Sequence, residues 1–329
     1  MDHQAQQLLH HLSIHPIPTP NPFSKIETNC YFINDSIPTL IDTGIATKEA
    51  YQRLSDGLAR FGRSIQDVGR ILLTHGHADH RALSPRIQDE SGAQVFFHQA
   101  EQTKVIASEK EESARFAQME CFRSMGVPEQ LLGELVDGPS SPLIKPKLHH
   151  ATPLEGGEEL LFDEMKLKVI HTPGHSAGSV CFLEQEHGLL FSGDTLLPTS
   201  HITALMELDL LSLENGYNPL KLHLDSLLLL ESLRPLCVLP GHGDAFNDYF
   251  SLNEQVRERH RKRRKHILRA LRHEPRTLYQ ICRSVFLFNA HDDLYLALSE
   301  VLGNIGILVD EGVITSEQDN RLVLYKKKE

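Results

Sequence analysis

Seven residues whose side chains can ligate metal ions, His75, His77, Asp79, His80, His175, Asp194 and His242, all lie in turns that follow short apolar runs. The densest group is Thr74-His75-Gly76-His77-Ala78-Asp79-His80, which places four donors in one loop directly after residues 70–73. Imidazole and carboxylate suit zinc and similar borderline cations. A loop at a strand end can turn such donors toward one point, which a strand or a helix cannot do as compactly. A chain with 20 His could hold a histidine-rich turn by accident. Its own His and Asp frequencies, however, give only about 0.004 chance occurrences of H-x-H-x-D-H.

Three further turns repeat the design. Residues 169–175 run from an apolar stretch through Pro173-Gly174 to His175, residues 190–194 end in Gly193-Asp194, and residues 238–242 end in Pro240-Gly241-His242. Taken singly each is weak, because turn carboxylates and histidines are common. In this order, each at a Gly-containing turn, they supply enough donors for two metals, and a carboxylate such as Asp194 has two oxygens with which to bridge them. His171, at a strand end, reads as packed or hydrogen-bonded rather than ligating. Ser176 reads as a turn-stabilising hydroxyl.

The elements that must position these donors are short β-rich runs over 28–33, 38–41, 70–73, 94–97, 166–170 and 179–183, interleaved with helical stretches over 48–61, 80–90 and 216–233. This mixture predicts a layered α/β (α+β) fold. Residues 101–135 are charged and helical in composition and read as an inserted helical cap. With 329 residues, 40% apolar and 23% charged, the chain has ordinary globular composition and enough length for a large domain and a smaller one. It has no apolar run long enough for a membrane span and no secretory signal, so a cytoplasmic location is expected. Cys30, Cys121, Cys181, Cys237 and Cys282 form no C-x-x-C pair and read as small buried residues. Residues 1–250 hold 18 Lys+Arg against 33 Asp+Glu, whereas 251–329 hold 15 against 11. That shift from −15 to +4 predicts a boundary near 250.

The ordered motifs resemble the metallo-β-lactamase-fold hydrolase superfamily, in particular the thioesterase-like branch that includes glyoxalase II. The resemblance covers about residues 12–250 and implies a four-layer αβ/βα sandwich with the site at one edge of its two sheets. It further implies that His75, His77 and His175 hold one metal, that Asp79, His80 and His242 hold the other, and that Asp194 bridges them. Thr39-Leu40-Ile41-Asp42-Thr43-Gly44 matches the superfamily's strand-Asp-x-Gly element, which implies that Asp42 orients a ligating histidine. Two metals about 3.5–4 Å apart acidify a bound water, so a bridging hydroxide is the expected nucleophile. Asp79 is expected chiefly as a ligand that also orients or accepts a proton. Zinc is the first expectation, with iron and manganese compatible with the same donors.

The basic run 257–266, three helical segments and a terminal hairpin with its turn at 317–320 resemble the winged-helix tail of the superfamily's mitochondrial β-lactamase-like subgroup. The expected domains are therefore 1–250, catalytic and including the insertion, and 251–329, winged-helix-like. Two functions are carried forward. The favoured one is hydrolysis of a small acyl substrate (thioester, ester or lactone), and the alternative is single-strand nuclease activity with the tail aiding nucleic-acid binding. Nucleic acid is the less favoured partner, because the catalytic part at −15 repels a polyanion. The favoured expectation for the tail is a structural or dimerising role, which makes a homodimer one possible assembly. The loop 197–218 is expected to shape the pocket, with His201, Met206 and Tyr217 serving in packing.

Overall fold

The computed structural model describes residues 3–22, 25–107, 111–137, 146–199, 204–207, 217–286 and 294–328. The chain forms two compact units. The first comprises residues 1–108, 141–202 and 226–252, and the second comprises 109–140, 203–225 and 253–329.

In the first unit a six-stranded sheet takes its strands in chain order: β1 (Ile14–Thr19), β2 (Thr28–Ile33), β3 (Thr39–Ile41), β4 (Arg70–Leu72), β5 (Gln94–His98) and β6 (Thr152–Leu154). β1 to β3 are antiparallel, and β3 to β6 are parallel. A five-stranded sheet is built from β7 (Glu159–Leu161), β8 (Lys166–His171), β9 (Val180–Glu184), β10 (Leu189–Gly193) and β11 (Cys237–Pro240), in the order β11-β10-β9-β8-β7. Because side chains alternate across a strand, the first sheet buries two faces. Tyr31, Ile33, Ile41 and Leu72 cluster with Leu167, Val169, Val180, Phe182, Phe191 and Leu239 of the second sheet. Phe32, Leu40, Ile71 and Val95 turn the other way, onto Ala50, Leu54 and Leu58 of the helix Lys48–Ala59 and Ile87 of the helix Ser84–Ser91. On the second sheet's side, Ser226 of the helix Pro219–Leu233 donates its hydroxyl to Pro173 O. This is the expected mixed α/β sandwich.

Two local expectations change. β1, with the sequence IHPIPT, lies outside the expected strands because it carries Pro16 and Pro18. It is the edge of its sheet, where a residue without an N–H is tolerated. The helix expected over 80–90 is two helices, Ala78–Arg81 and Ser84–Ser91, the second beginning with Pro85 in its first turn.

The second unit contains the helices Glu111–Ser124, Glu129–Asp137, Leu278–Val285 and Leu294–Asp310 and a three-stranded sheet. The sheet is formed by β12 (Arg276–Thr277), β13 (Ile314–Asp319) and β14 (Leu322–Lys327), in the order β12-β14-β13. The expected division at 250/251, with the insertion counted in the catalytic part, is corrected here. Phe122, Met125, Val127 and Leu132 from the insertion share one buried cluster with Ile267, Leu278, Ile281, Leu298, Val301 and Leu308. Burying these apolar faces together joins segments far apart in sequence, which no local pattern announces. Residues 101–105 stay with the first unit. The hairpin turn sits at Asn320-Arg321, later than the expected 317–320, with Asn320 at φ 54°. Much of the basic run is ion-paired: Arg261 with Glu254 and Glu258, Lys262 with Glu258, and Arg263 with Glu300. Met206 and Tyr217 are described, and Met206 is buried in the unit's core. His201 lies outside the described residues.

Candidate metal centre

All four motif turns sit at C-terminal strand ends of the first unit: after β4, after β8, at the end of β10 and after β11. β2 helps to register the last of them. Asn29 N donates to Gly241 O at 2.7 Å, Asn29 Nδ2 donates to Pro240 O and Gly243 O, and the Tyr31 hydroxyl donates to Pro240 O at 2.7 Å.

The seven expected residues converge. His75, His77 and His175 form one group of donor atoms, Asp79, His80 and His242 a second, and His75, His80 and Asp194 a third. Asp194 faces both sides, with Oδ1 3.5 Å from His80 Nε2 and Oδ2 3.6 Å from His175 Nε2 and 3.5 Å from His242 Nε2. His171 joins none of these groups. Its ring stacks on His98 at 3.9 Å, and its Nε2 bonds Ala177 O. Among the described residues one more donor group, Glu184, Glu186 and His187, occurs at the β9–β10 hairpin. There the Glu184 carboxylate accepts the N–H groups of residues 186 and 187 and closes the turn.

The outward ring nitrogens reveal what the inward ones offer. His242 Nδ1 bonds the carbonyl of Glu27 at 2.9 Å, so it must carry the proton, and in the neutral ring Nε2 is a bare lone pair. His80 Nδ1 lies 2.8 Å from Asp42 Oδ2, which fixes the same tautomer. The Thr74 hydroxyl gives its proton to Asp42 at 2.7 Å and therefore accepts from His75 Nδ1 at 3.0 Å, again baring Nε2. These inward nitrogens meet head-on: His80 and His242 Nε2 are 3.3 Å apart, and His75 and His175 Nε2 lie 2.8 and 3.0 Å from His77 Nδ1. Asp194 Oδ1 is buried and accepts no hydrogen bond. Converging lone pairs and an orphaned carboxylate oxygen are costly unless a cation sits among them, so the residues fit a metal centre.

Electrostatics divide the cluster. Burial opposes the charged form of His242, but Asp194 and Asp79 outweigh it and push the ring up to about 10. His80 is likewise held well above its ordinary value, burial being overcome by Asp194, Asp79 and Asp42. On the other side burial, His175 and Lys104 lower His77 to about 3. Burial and the neighbouring rings His80 and His77 hold His75 well below its usual range.

Asp42 occupies the place expected of it at some cost to its backbone. At φ 60° it is a non-glycine residue in the left-handed region, held by accepting from Thr74 N and Thr74 Oγ1 and by bonding His80. Several supporting residues went unpredicted. Asn21 Nδ2 donates to Asp79 Oδ2 at 2.9 Å. The buried Arg81 donates from Nε to Gly76 O at 2.8 Å and also reaches Pro146 O. Glu101, fully buried, sits between the first two motif turns. Glu101 lies three residues past the end of β5, as His75 lies three past the end of β4, and that position was its one signal. All five cysteines are free thiols, and none enters the cluster.

Comparison with known proteins agrees with this geometry. A family model described as the metallo-beta-lactamase superfamily matches residues 25–242. The chain is 27% identical over 318 residues to the probable metallo-hydrolase YqjP of Bacillus subtilis, covering 94% of this chain and 96% of that protein. It is 24% identical over 179 residues to the hydroxyacylglutathione hydrolase GloC of Haemophilus influenzae, covering 53% and 69% respectively. Its fold is similar to the crystal structure of the metallo-beta-lactamase family protein TTHA1429 from Thermus thermophilus. The TM-score is 0.78 at 26% identity, over 96% of this chain and 99% of that one. This chain belongs to the metallo-beta-lactamase superfamily and is a metal-dependent hydrolase.

Proposed function

We propose that the chain is a binuclear hydrolase of small acyl substrates, a thioester, ester or lactone. In this reading His75, His77 and His175 hold one divalent cation, Asp79, His80 and His242 hold the second, and Asp194 lies between them. The observation that carries it is the position of Asp194, whose two buried carboxylate oxygens face histidines of both groups at 3.5–3.6 Å. Zinc is the first choice for an imidazole and carboxylate set without thiolate. When bound, two such cations supply Lewis acidity toward a scissile carbonyl and a water acidified toward neutrality.

The chain's own residues do the rest. Asp42 and the Glu27 carbonyl hold His80 and His242 in the tautomer that points Nε2 inward. Asp79 is the most exposed of the three residues in its group, with 21% side-chain exposure, and Asn21 restrains one of its oxygens. In this reading Asp79 accepts at Oδ1 the proton given up by the attacking water and returns it to the sulfur or oxygen of the leaving group as the acyl bond breaks. The acyl class is supported by the likeness to GloC, a hydroxyacylglutathione hydrolase, and by the ion pairing of much of the basic run, which leaves fewer free cations for a phosphate backbone. The order of the helix Tyr249–Ala270, β12, the helices Leu278–Val285 and Leu294–Asp310 and the β13–β14 hairpin supports a winged-helix-like reading of the C-terminal segment, with a structural role.

The test is elemental analysis of metal per chain, paired with hydrolysis of a generic thioester and of single-stranded RNA by the same preparation. Two metals with thioester turnover are expected. RNA cleavage without acyl turnover would replace the substrate class, and a chain that takes up no metal would end the reading.

A further inference from the structure

We propose that Glu101 is the positioning residue of the His75/His77/His175 group, a single carboxylate that locks together the two turns carrying those histidines. This rests on the binuclear reading above. Glu101 follows β5 of the first sheet and is fully buried. Its Oε2 accepts from Gly76 N at 2.9 Å, and Gly76 stands between His75 and His77. Its Oε1 accepts from Gly178 N at 2.5 Å and from Ser176 Oγ at 2.6 Å, on the turn that begins at His175. One side chain therefore ties the loop after β4, in one sheet, to the loop after β8, in the other.

Lys104 completes the arrangement. Its ammonium lies 3.1 Å from Glu101 Oε2 and donates to Ser176 Oγ at 2.6 Å, balancing the buried charge and bridging to the second turn. The glycines on both sides make room for the carboxylate. A Cβ on residue 76 would collide with Glu101 Oε2, and one on residue 178 would lie 2.7 Å from Glu101 Cγ and 2.9 Å from His98 Nδ1. Four donors converge on two oxygens, so an amide at this position must set an NH₂ against an N–H or an ammonium. Hydrogen bonds that orient metal-bearing residues are commonly worth about 10–100-fold in metal affinity.

Glu101→Gln, Leu54→Ala and the wild-type chain are stripped of metal, then titrated with Zn²⁺ against a chromophoric chelator and with Co²⁺ by visible absorption. Leu54→Ala removes a buried side chain of the helix Lys48–Ala59 and reports what general destabilisation does. The expected result is that E101Q keeps one ion at wild-type affinity and binds the other about 10–100-fold more weakly, with one component of the Co²⁺ spectrum altered. L54A should melt earlier yet titrate as wild type. Wild-type affinities for both ions in E101Q would overturn the proposal, as would equal weakening of both ions matched by L54A. A wild-type chain that takes up a single ion defeats the binuclear reading, while that ion's affinity in E101Q still decides the role of Glu101, unchanged affinity overturning it. No uptake at all defeats both.

Discussion

On one side of Asp194 stand three imidazoles, His75, His77 and His175, and on the other stand Asp79, His80 and His242. In the first group burial and neighbouring rings press His75 and His77 toward the uncharged form. In the second, neighbouring carboxylates draw His80 and His242 toward the charged form. The bracing differs too. A buried aspartate and a main-chain carbonyl orient the rings of the second group, whereas Glu101 grips the backbone of the turns that carry the first. A cation entering the second group competes with protons that its carboxylates attract, a competition that is weaker at His75 and His77. Two sites of similar donor count can thus differ in how they depend on pH and on which supporting residue is removed.

The largest effect is expected at the shared residue. Asp194→Ala should remove bound metal from both groups and abolish hydrolysis while the chain stays folded, as read by elemental analysis, turnover and circular dichroism. A variant with both ions and full activity would erase the comparison, because no residue would then join the halves. Next, His77→Ala and His242→Ala should each leave about one ion per chain, with distinct Co²⁺ spectra; identical spectra would mean that the halves are one site. Asp42→Asn should be milder, weakening the ion at His80 by about 10–100-fold and sparing the ion held by His77, which competitive titration resolves.

The smallest effect concerns pH in the metal-free chain. His242 is raised from 6.5 to about 10, so its contribution to stability is fully present below pH 6.5 and is lost as pH rises through about 10. The thermal midpoint of the chelated protein should fall across that window, and the metal-loaded protein should show a flatter profile. A metal-free midpoint independent of pH there would place no charge on His242.

Much of the sandwich is legible from short β-rich runs bounded by turn residues. Residues 28–33 are read as a strand and form β2 with the same bounds, and the strands expected at 70–73, 94–97 and 166–170 differ from β4, β5 and β8 by one residue at one end. β1 escapes because Pro16 and Pro18 argue against a strand wherever its edge position is unknown. Asp42 is legible through its motif, while Glu101 has none: it is one acid among many until the fold brings Gly76 and Gly178 to it. The insertion's helices are legible as helices, but their partners are not, since the cluster around Phe122 and Leu298 joins residues far apart in the chain.

The sequence by itself determined the donor types, their order and their placement in turns after strands, because ligand chemistry and strand propensity are properties of neighbouring residues. Tertiary structure alone decided that one buried carboxylate would lie between two groups of histidines. It also decided which proton each ring would keep and which buried acid would hold the turns in register. Those outcomes depend on distances between segments that meet only when two sheets pack, and burial then turns each such contact into a constraint on charge.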